Sequence, residues 1–505
     1  MKHRLKGLLA LVLSLMMVFA LATNAWAAVS IGNVELNQEN NYSVNGISGQ
    51  GTATYDSTTK TLTLNNFVYE GTYGITATDN LTIDLIGDNK ITYSSDSGNA
   101  SISIEGNLTI TSSDPSAKLT ADFDTTSSST KGGGIKATNL TIESGTVSAI
   151  AVGTNSHGIE ATNAVSITGG TVTAGSATDD GSGNVNYNSA FGIKAGSSIS
   201  ITGGTVTATG LDAIAIYEHT TTGTISISGA TTTVTANGGN SGIFTKGSVS
   251  ITGGSVLANS TNDDGWGIYG GSTITIGTNE GTTSPTVTVG CATGLDATTV
   301  NITGGSTVSI EASSGTSRTV AKAINSNTLN IGGNWYQWST DNTNFTDSNT
   351  SELTNVIAKG TATLYIKPIT YTVAFNANGH GTAPSAQSGI AAGGKVTEPN
   401  PAPTAAGWTV GGWYEEQSCT SKWDFATDTV TADITLYAKW TETSGGVPGN
   451  QQPSYNYPIY IPTVEDEPEG EKVTAPNTFD GGIASAVVVT ILSATGGAWL
   501  AKKKD

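Results

Sequence analysis

Two pairs of adjacent aspartates are the residues of this 505-residue chain that could most readily do chemistry. Asp179-Asp180 and Asp263-Asp264 could serve as the two carboxylates of a glycoside hydrolase, or could offer clustered oxygens to calcium. Both pairs lie in polar stretches rich in glycine, and adjacent residues on a strand point to opposite faces. We therefore expect solvated turns or a calcium site rather than catalysis, and no other cofactor is indicated.

The remaining acids and bases do not form a catalytic set. β-Elimination on a polysaccharide needs a strong base beside carboxylates, and the mature chain offers only Arg318, with Glu311 nearby in sequence. The Gly-His-Gly tripeptide at His380 matches one found in polygalacturonases, but no partner residue accompanies it. His157 and His219 are isolated in the sequence and are interpreted as surface or turn histidines. We therefore expect a protein without enzymatic activity.

A recurring Gly-Ile strand offers a better binding surface, because the residue after the isoleucine should face outward in every copy. Read copy by copy, that position holds Lys136, Glu160, Lys194, Tyr217, Phe244, Tyr269 and Asp296. Aromatic rings pack against the apolar C–H faces of sugars, so Tyr217, Phe244 and Tyr269 predict a carbohydrate-contact strip of about 10–15 Å. Phe191 and Trp266 stand one turn position away and belong to the same predicted site. The alternative is that these rings only stack on one another and stabilise the fold.

A second recurring phrase indicates the elements that must position these residues. Ser-Ile-Thr-Gly-Gly begins at Ser166, Ser200 and Ser250, and corresponding isoleucines follow one another at about 25 residues, with one step of 34. Each unit holds three short strands, which cannot bury a core alone but can stack in parallel on the next unit. A β-sandwich would instead show turns every 8–12 residues or so. The sequence therefore predicts an all-β chain with a parallel β-helix of roughly ten turns over residues 70–333.

The phrases Gly-Ile-x-Ala and x-Ile-x-Gly-Gly-Thr-Val resemble those of a secreted bacterial carbohydrate-binding β-helix family with a pectate-lyase-like fold. The resemblance covers residues 70–333 and implies a right-handed coil that binds acidic or cellulosic polysaccharide. It also implies calcium held by aspartates in repeated Asp-Gly-Ile-His-Ala-Asp segments. This sequence keeps the Gly-Ile pairs, but near them only Glu160, Asp212 and Asp296 remain of those acids.

A different set of motifs marks a second domain over residues 370–441. Its aromatic phrases are Tyr-Thr-Val-Ala-Phe from Tyr371, Gly-Gly-Trp-Tyr ending at Tyr414, and Leu-Tyr-Ala-Lys-Trp ending at Trp440. They resemble the internalin-type B repeat, a small β-grasp-like module of bacterial surface proteins. The resemblance implies a role in spacing or weak adhesion.

The N-terminal residues and the segments between the domains complete the predicted organisation. Residues 1–27 combine basic residues, an apolar run and Ala-Trp-Ala, which is typical of a secretory signal peptide. Residues 28–69 are predicted to form an N-terminal β cap, because an uncapped sheet edge invites aggregation. Residues 334–369 are predicted to be a β segment that connects the two domains.

The C-terminal residues predict attachment to the cell envelope. Residues 442–481 form a linker rich in proline, glycine and acids, and residues 482–505 form an apolar span of transmembrane length with a basic tail. Pro476 and Thr478 precede that span, and the arrangement resembles the sorting signal of Gram-positive wall-anchored proteins. We therefore expect an extracellular protein tethered to the bacterial cell wall or membrane.

Composition excludes one class of partner and supports another. The chain carries a net charge of −19 and only 12% charged residues, with two arginines in all, so no basic face for nucleic acid exists. Two cysteines offer no disulfide framework. We expect a non-catalytic carbohydrate-binding protein or adhesin of the cell surface, whose partner is a polysaccharide or a host or envelope glycan. A purely structural stalk is the alternative, followed by a polysaccharide lyase.

Overall fold

A computed structural model describes residues 28–94, 99–124, 132–152, 156–177, 191–210, 214–262, 264–277, 284–303, 306–312, 322–331, 336–347, 353, 357 and 361–443. Within these ranges every element with defined bounds is a strand, apart from a 3-10 turn at Ile47–Gly49, so the all-β prediction is confirmed. No helix among these residues has the length and hydropathy needed to cross a membrane. The predicted signal peptide, the residues Pro476 and Thr478, and the predicted transmembrane helix lie outside the described residues.

The first of two large sheets contains the Gly-Ile strands and the Ile-Thr strands, and each strand pairs in parallel with the corresponding strand one turn later. Its parallel strands are Thr61–Asn65, Ile75–Ala77, Leu81–Ile86, Ala100–Ile104, Asn107–Thr111, Gly133–Ile142, His157–Ile167, Phe191–Ala195, Ser198–Ile201, Ile214–Glu218, Thr224–Ile227, Ser241–Thr245, Ser248–Ile251, Trp266–Ile276, Thr293–Ile302 and Lys322–Ile331. The two predicted strands run together in several turns, for example over Gly133–Ile142.

The second sheet contains the Thr-Val-Thr strands, and ten of its described strands are parallel. They are Val68–Gly71, Asp88–Ser94, Lys118–Asp124, Thr146–Val152, Thr171–Ala177, Thr205–Gly210, Thr233–Gly238, Ser255–Ser260, Thr286–Cys291 and Thr307–Ala312. We call residues 61–331, which form both sets of parallel strands, the parallel domain. Its pairing is the one predicted for a parallel β-helix; the handedness of the coil stays a prediction.

Alternation of apolar and polar residues explains why these strands stack as they do. Ile167 pairs with Ile201, and Val172 pairs with Val206, so identical positions of successive copies lie above one another. These side chains are buried and belong to one continuous apolar core of isoleucine, valine, leucine and alanine. A shift of one residue would turn that set toward solvent, and this fixes the register.

The second glycine of each Gly-Gly phrase forms the turn into the second sheet. Gly170, Gly204 and Gly254 have φ values of 77°, 79° and 77°. This left-handed conformation is accessible to glycine without the steric cost that a Cβ atom brings. The phrase that marks the repeat in the sequence is therefore also the corner of each turn.

The N-terminal cap consists of the strands Val29–Ile31, Val34–Glu35, Ser43–Asn45 and Thr52–Asp56. Val29–Ile31 pairs antiparallel with Ile75–Ala77, which closes the first sheet at this end. Thr52–Asp56 forms a hairpin with Thr61–Asn65, and the latter strand already pairs in parallel with Leu81–Ile86. Parallel pairing thus begins before the predicted boundary at residue 70, because Leu62 and Leu64 already point into the common core.

The segment predicted as a connector closes the other end instead. Its strands are Tyr336–Ser339, Thr346–Asp347 and Thr363–Pro368, and Thr363–Pro368 pairs antiparallel with Thr307–Ala312. Trp338 and Leu364 are buried in the same core as the parallel domain. The aromatic residues that the sequence shows here therefore cover the last turn, a role that the repeat phrase cannot reveal.

The second domain has its own sheet and its own core. Its strands Thr370–Asn376, Gln387–Ala391, Trp408–Tyr414 and Ile434–Glu442 form a mixed sheet in which Thr370–Asn376 and Ile434–Glu442 are parallel neighbours in the centre. Residues 370–443 contain no helix, so the β-grasp likeness is limited to the sheet. Its core is a separate cluster that includes Val373, Phe375, Trp413, Trp423, Val430 and Leu436.

Candidate functional site

The outward residues of the Gly-Ile strands form one column with the order predicted from the sequence. Each residue pairs with the next one turn later, and the seven, which we call the outer column, are Lys136, Glu160, Lys194, Tyr217, Phe244, Tyr269 and Asp296. All seven side chains are half-buried, while the isoleucine or leucine before each is buried. The column divides into a charged half and an aromatic half.

Ion pairs hold the charged half together. The Glu160 carboxylate lies between two ammonium groups, with Lys194 Nζ 2.9 Å from Oε1 and Lys136 Nζ 3.8 Å from Oε2. Burial opposes ionisation of Glu160, but the hydrogen bond from Lys194 and the other nearby charges outweigh it and lower the pKa of that carboxyl. Opposite charges on neighbouring parallel strands thus stabilise this part of the sheet.

His157 belongs to this charged half, and its interpretation as a surface or turn histidine is wrong. Its side chain is 6% exposed, its Nε2 lies 3.3 Å from Lys194 Nζ, and its ring centroid lies 5.0 Å from that of Phe191. Burial, aided by the Lys194 charge, lowers the pKa of His157 from 6.5 to about 4. The signal was present in the sequence, because His157 occupies the position before Gly-Ile that Phe191 holds one turn later.

The rings of the aromatic half stack mainly on one another. Phe191 and Tyr217 are nearly parallel at 4.4 Å between centroids, and Phe244 and Tyr269 are nearly parallel at 4.6 Å. Tyr217 and Phe244 are tilted by 41° at 5.7 Å, and Trp266 meets Tyr269 at 57° and 5.3 Å. Tyr217, Phe244 and Tyr269 of the outer column thus lie beside the other two residues of the predicted carbohydrate site, the half-buried Trp266 and the buried Phe191.

This stacking limits which ring faces a sugar could reach. Two parallel rings less than 5 Å apart cover each other's facing surfaces, so Phe244 covers one face of Tyr269. Tyr217 is held further by its hydroxyl, which lies 2.6 Å from His219 Nδ1, and burial raises the pKa of that hydroxyl. Phe244 does not cover the face of Tyr269 that is directed toward the next turn, and Trp266 meets that ring at a tilt of 57° rather than in parallel.

A small groove opens beside that face, and we call it the notch. It has a volume of about 180 Å³ and is lined by Tyr269, Asp296, Thr298, Asn325 and Asn327, among others. Asp296 Oδ2 accepts hydrogen bonds from Trp266 Nε1 at 2.9 Å and from Asn325 Nδ2 at 3.1 Å. An aromatic face beside a fixed carboxylate and amides can bind hydroxyl groups. Asn325 was missed at the sequence level, although it follows Ile324 as the next position of the same column.

The buried carboxylate of Glu218 lies on the interior side of the strand that carries Tyr217. Glu218 follows Tyr217 and is fully buried at an interior position that Ala195 and Thr245 hold in the adjacent turns. Its Oε1 accepts hydrogen bonds from Thr220 N at 2.6 Å and Thr220 Oγ1 at 2.8 Å, and its Oε2 accepts one from Thr245 Oγ1 at 2.5 Å. These bonds tie the Glu218 carboxylate to the turn after Tyr217 and to the adjacent strand.

The predicted calcium residues are only partly within reach of the structure. Asp179, Asp180 and Asp263 lie outside the described residues, and Asp264 is exposed in a turn. Across the described ranges, no group of three or more histidine, cysteine, aspartate or glutamate side chains could hold a metal ion. Calcium binding therefore stays a prediction.

His380 of the second domain has aromatic neighbours that the sequence alone did not indicate. Its ring stacks on Trp408 at 4.0 Å between centroids and meets Trp440 edge-on at 5.7 Å. Trp440 Nε1 donates a hydrogen bond to the Ala377 carbonyl at 2.7 Å. The Gly-His-Gly turn thus packs against two tryptophans, and no carboxylate accompanies the imidazole in these contacts.

Comparison with known proteins recognises the second domain. Residues 371–439 match the Listeria-Bacteroides repeat domain. Internalin H of Listeria monocytogenes is 41% identical over 100 residues, which cover 19% of this chain and 17% of the relative. This finding agrees with the internalin-type likeness of residues 370–441.

Two membrane proteins of Evansella cellulosilytica are also similar over short stretches. A Gly-rich membrane protein is 44% identical over 70 residues, covering 14% of this chain and 8% of the relative. A second membrane protein is 41% identical over 70 residues, covering 14% of this chain and 10% of the relative. The chain thus matches less than a fifth of the length of each of these relatives.

Proposed function

We propose that this chain is a non-catalytic adhesin of the bacterial cell surface and that its parallel domain binds carbohydrate. The Listeria-Bacteroides repeat, the internalin relative and the membrane-protein relatives support a cell-surface location. The observation that supports carbohydrate binding is that Tyr269, which Phe244 covers on one face, lines a polar groove. The envelope partner is the cell wall or membrane, reached through the C-terminal residues.

The residues of the aromatic half would have different roles in binding a sugar. Tyr269 would pack against the apolar face of a sugar, and Asp296 and Asn325 would exchange hydrogen bonds with its hydroxyls. Phe244 and Tyr217 would support Tyr269 from behind, while Trp266 fixes the carboxylate through its indole N–H. Phe191 would close the covered end of the stack.

A purely structural stalk is the second candidate, and ring stacking is the observation that favours it. Contacts between parallel rings stabilise adjacent turns without any ligand, by about 0.5–1.5 kcal/mol for each pair. The stalk and the adhesin differ in one respect only, which is whether the aromatic half retains a glycan. A polysaccharide lyase ranks third, because after the predicted signal peptide the sequence offers Arg318 alone as a strong base, with only Glu311 nearby in sequence.

Glycan binding by the full-length protein separates the first two candidates. We expect retention on at least one immobilised polysaccharide or glycan-array probe, and loss of retention when Tyr217, Phe244 and Tyr269 are all replaced by alanine. Leu257→Ala, which removes a half-buried apolar side chain from the second sheet, is the matched control. Unchanged binding by a folded triple variant would falsify the carbohydrate site and leave the stalk. Release of unsaturated uronides from a polysaccharide would instead support the lyase.

Calcium is tested separately from the glycan. We propose that Asp179, Asp180, Asp263 and Asp264 bind it, because hard cations prefer clustered oxygens. Thermal unfolding of the full-length protein with calcium and with a chelator should then differ in Tm. Equal Tm values under both conditions would remove calcium from the proposal.

A further inference from the structure

We infer that the carbohydrate contact is confined to the notch and that the notch accepts one neutral sugar ring, at the end or at a branch of a glycan. The inference rests on the proposed function and narrows it from a strip of rings to a single position. Ring geometry, volume and charge support it independently of one another.

Ring geometry distinguishes Tyr269 from the other rings of the stack. Tyr217 and Phe244 each have a neighbouring ring in the turn before and in the turn after, whereas Tyr269 has Phe244 on one side and the smaller Asp296 on the other, with Trp266 tilted against it at 57° and 5.3 Å. A polysaccharide lying along the column would therefore meet ring edges, which bind apolar sugar faces poorly. A sugar that enters from the Asp296 side would meet the part of the Tyr269 ring that neither Phe244 nor Trp266 covers.

The volume of the notch suits one sugar ring rather than a chain. Its 180 Å³ is well below the ~300–1,000 Å³ of pockets that enclose drug-sized ligands. Thr298, Asn325 and Asn327, which line it, are polar and exposed, so they can also contact the linkage that leads away from the bound ring. Recognition of a terminal or branching sugar follows from this size.

The charges at the notch disfavour both acidic and basic sugars. Asp296 is held in place by Trp266 and Asn325, so a sugar carboxylate would meet a fixed like charge in a half-buried site. Lys322 Nζ lies 3.4 Å from Asn325 Oδ1, which places a positive charge next to a residue that lines the notch and opposes an ammonium group there. Neutral hydroxyls can donate to Asp296 and accept from Asn325 without either cost.

A glycan array with matched termini tests the inference on the full-length protein. Its probes share one core and end in glucose or galactose, in glucuronic or galacturonic acid, or in glucosamine. We expect at least one neutral terminus to be retained about tenfold better than its charged counterparts, which corresponds to ~1.4 kcal/mol. Tyr269→Ala should reduce that retention about tenfold, and Leu257→Ala is the control.

A change of charge at the notch gives a readout that a structural role would not produce. Asp296→Asn keeps an oxygen that accepts from Trp266 Nε1 and removes the negative charge. The ratio of uronate-terminated to neutral retention should then rise about tenfold. If Tyr269→Ala fails to fold, Tyr269→Leu keeps apolar volume without a ring and takes its place, with circular dichroism and Tm as the test of folding.

The possible outcomes distinguish this inference from the proposed function. Retention of no probe by the wild-type protein overturns both. Preference for uronate termini, or a larger loss from Tyr217→Ala than from Tyr269→Ala, overturns the notch and leaves carbohydrate binding in place. Retention of neutral termini with the expected effects of Tyr269 and Asp296 supports the inference.

Discussion

The outer column of the first sheet and the corresponding column of the second sheet share one geometry and differ in chemistry. The second column is formed by Ser148, Thr173, Thr207, Thr235, Leu257, Thr288 and Ser309, each paired with the next one turn later. Nearly all of these are hydroxyl residues, and threonine suits a half-buried strand surface. The outer column places four charged side chains and three aromatic rings on the same spacing.

This difference shows which features the fold itself requires. In the second sheet a column of six hydroxyl residues and one leucine pairs over seven turns, so parallel pairing does not require the rings of Tyr217 or Phe244, nor the ion pairs of Glu160. The outer column therefore carries chemistry beyond what the coil needs. Both columns cover the same apolar core. The contribution of the outward residues to stability can therefore be compared with that of the core residues.

The largest effect is expected from the core that both columns share. Ile243 is fully buried directly before Phe244, and Ile243→Ala should lower the free energy of unfolding by about 2–5 kcal/mol, since it leaves a cavity in a continuous interior. Ile243→Val is the matched control and should cost ~0.5–1.5 kcal/mol. Urea unfolding monitored by circular dichroism measures both. A loss below about 1 kcal/mol for the alanine variant would contradict a shared core.

The next largest effect is a dependence of stability on pH. It distinguishes the two columns, because His157 packs against the outer column whereas the second column holds no titratable side chain. The pKa of His157 is about 4 in the folded protein and 6.5 when unfolded, so between these values the unfolded state binds more protons. The stability that neutral His157 contributes is fully present above pH 6.5 and is lost as pH falls toward 4. The lost stability amounts to about 3 kcal/mol, because folding lowers the pKa of His157 from 6.5 to about 4.

The free energy of unfolding of the wild-type protein and of His157→Phe, determined across pH 4–7, measures this contribution of His157. Phenylalanine keeps a ring against Phe191 and removes the titration, so the difference between the two proteins should vary with pH. His219→Gln, at an exposed histidine, should retain the wild-type dependence. A difference that stays constant over this range would show that His157 is not buried in its neutral form. Glu160 adds a loss of the same sign at still lower pH, because its folded pKa is lowered.

The smallest effect compares single outward residues from the two columns. Phe244→Ala removes ring contacts with Tyr217 and Tyr269 and should cost ~2 kcal/mol, since each aromatic pair contributes about 0.5–1.5 kcal/mol. Thr235→Ala, at a half-buried threonine of the second column, should cost no more than ~0.5 kcal/mol. Thermal unfolding of the two variants side by side checks the order. Equal losses of stability in the two variants would mean that the stacked rings add nothing to the stability that the hydrogen bonds between strands provide.

The register of the outer column could be predicted from the sequence, whereas the contacts within it could not. Identical phrases that pair in parallel fix which residues are neighbours, so Tyr217, Phe244 and Tyr269 were ordered correctly from their spacing. Ring tilt and stacking depend on side-chain torsions that a one-dimensional pattern does not contain. The burial of His157 depends on Lys194 and Phe191 one turn away, and this is why the histidine looked isolated.

The ends of the parallel domain were harder to predict for a different reason. Thr61–Asn65 belongs to a hairpin and to the first parallel pair at once, and Thr363–Pro368 closes the second sheet from about fifty residues downstream. Neither strand carries the repeat phrase, so periodicity ends before the structure does. The notch was hard to predict for the same reason. It lies near the end of the periodic region, where Asp296 and Asn325 replace the rings of the preceding turns.

The antiparallel strands at the two ends have a consequence for how such a chain can vary in length. Val29–Ile31 pairs with Ile75–Ala77 and Thr363–Pro368 pairs with Thr307–Ala312, at the two ends of the parallel domain, so duplication or deletion of a whole middle unit leaves both closures intact. Gene-level gain or loss of about 25 residues would then change the reach of the molecule in steps of ~4.8 Å. Gain or loss of half a unit would disrupt the pairing between the end strands and the turns next to them, and we expect selection to eliminate such changes.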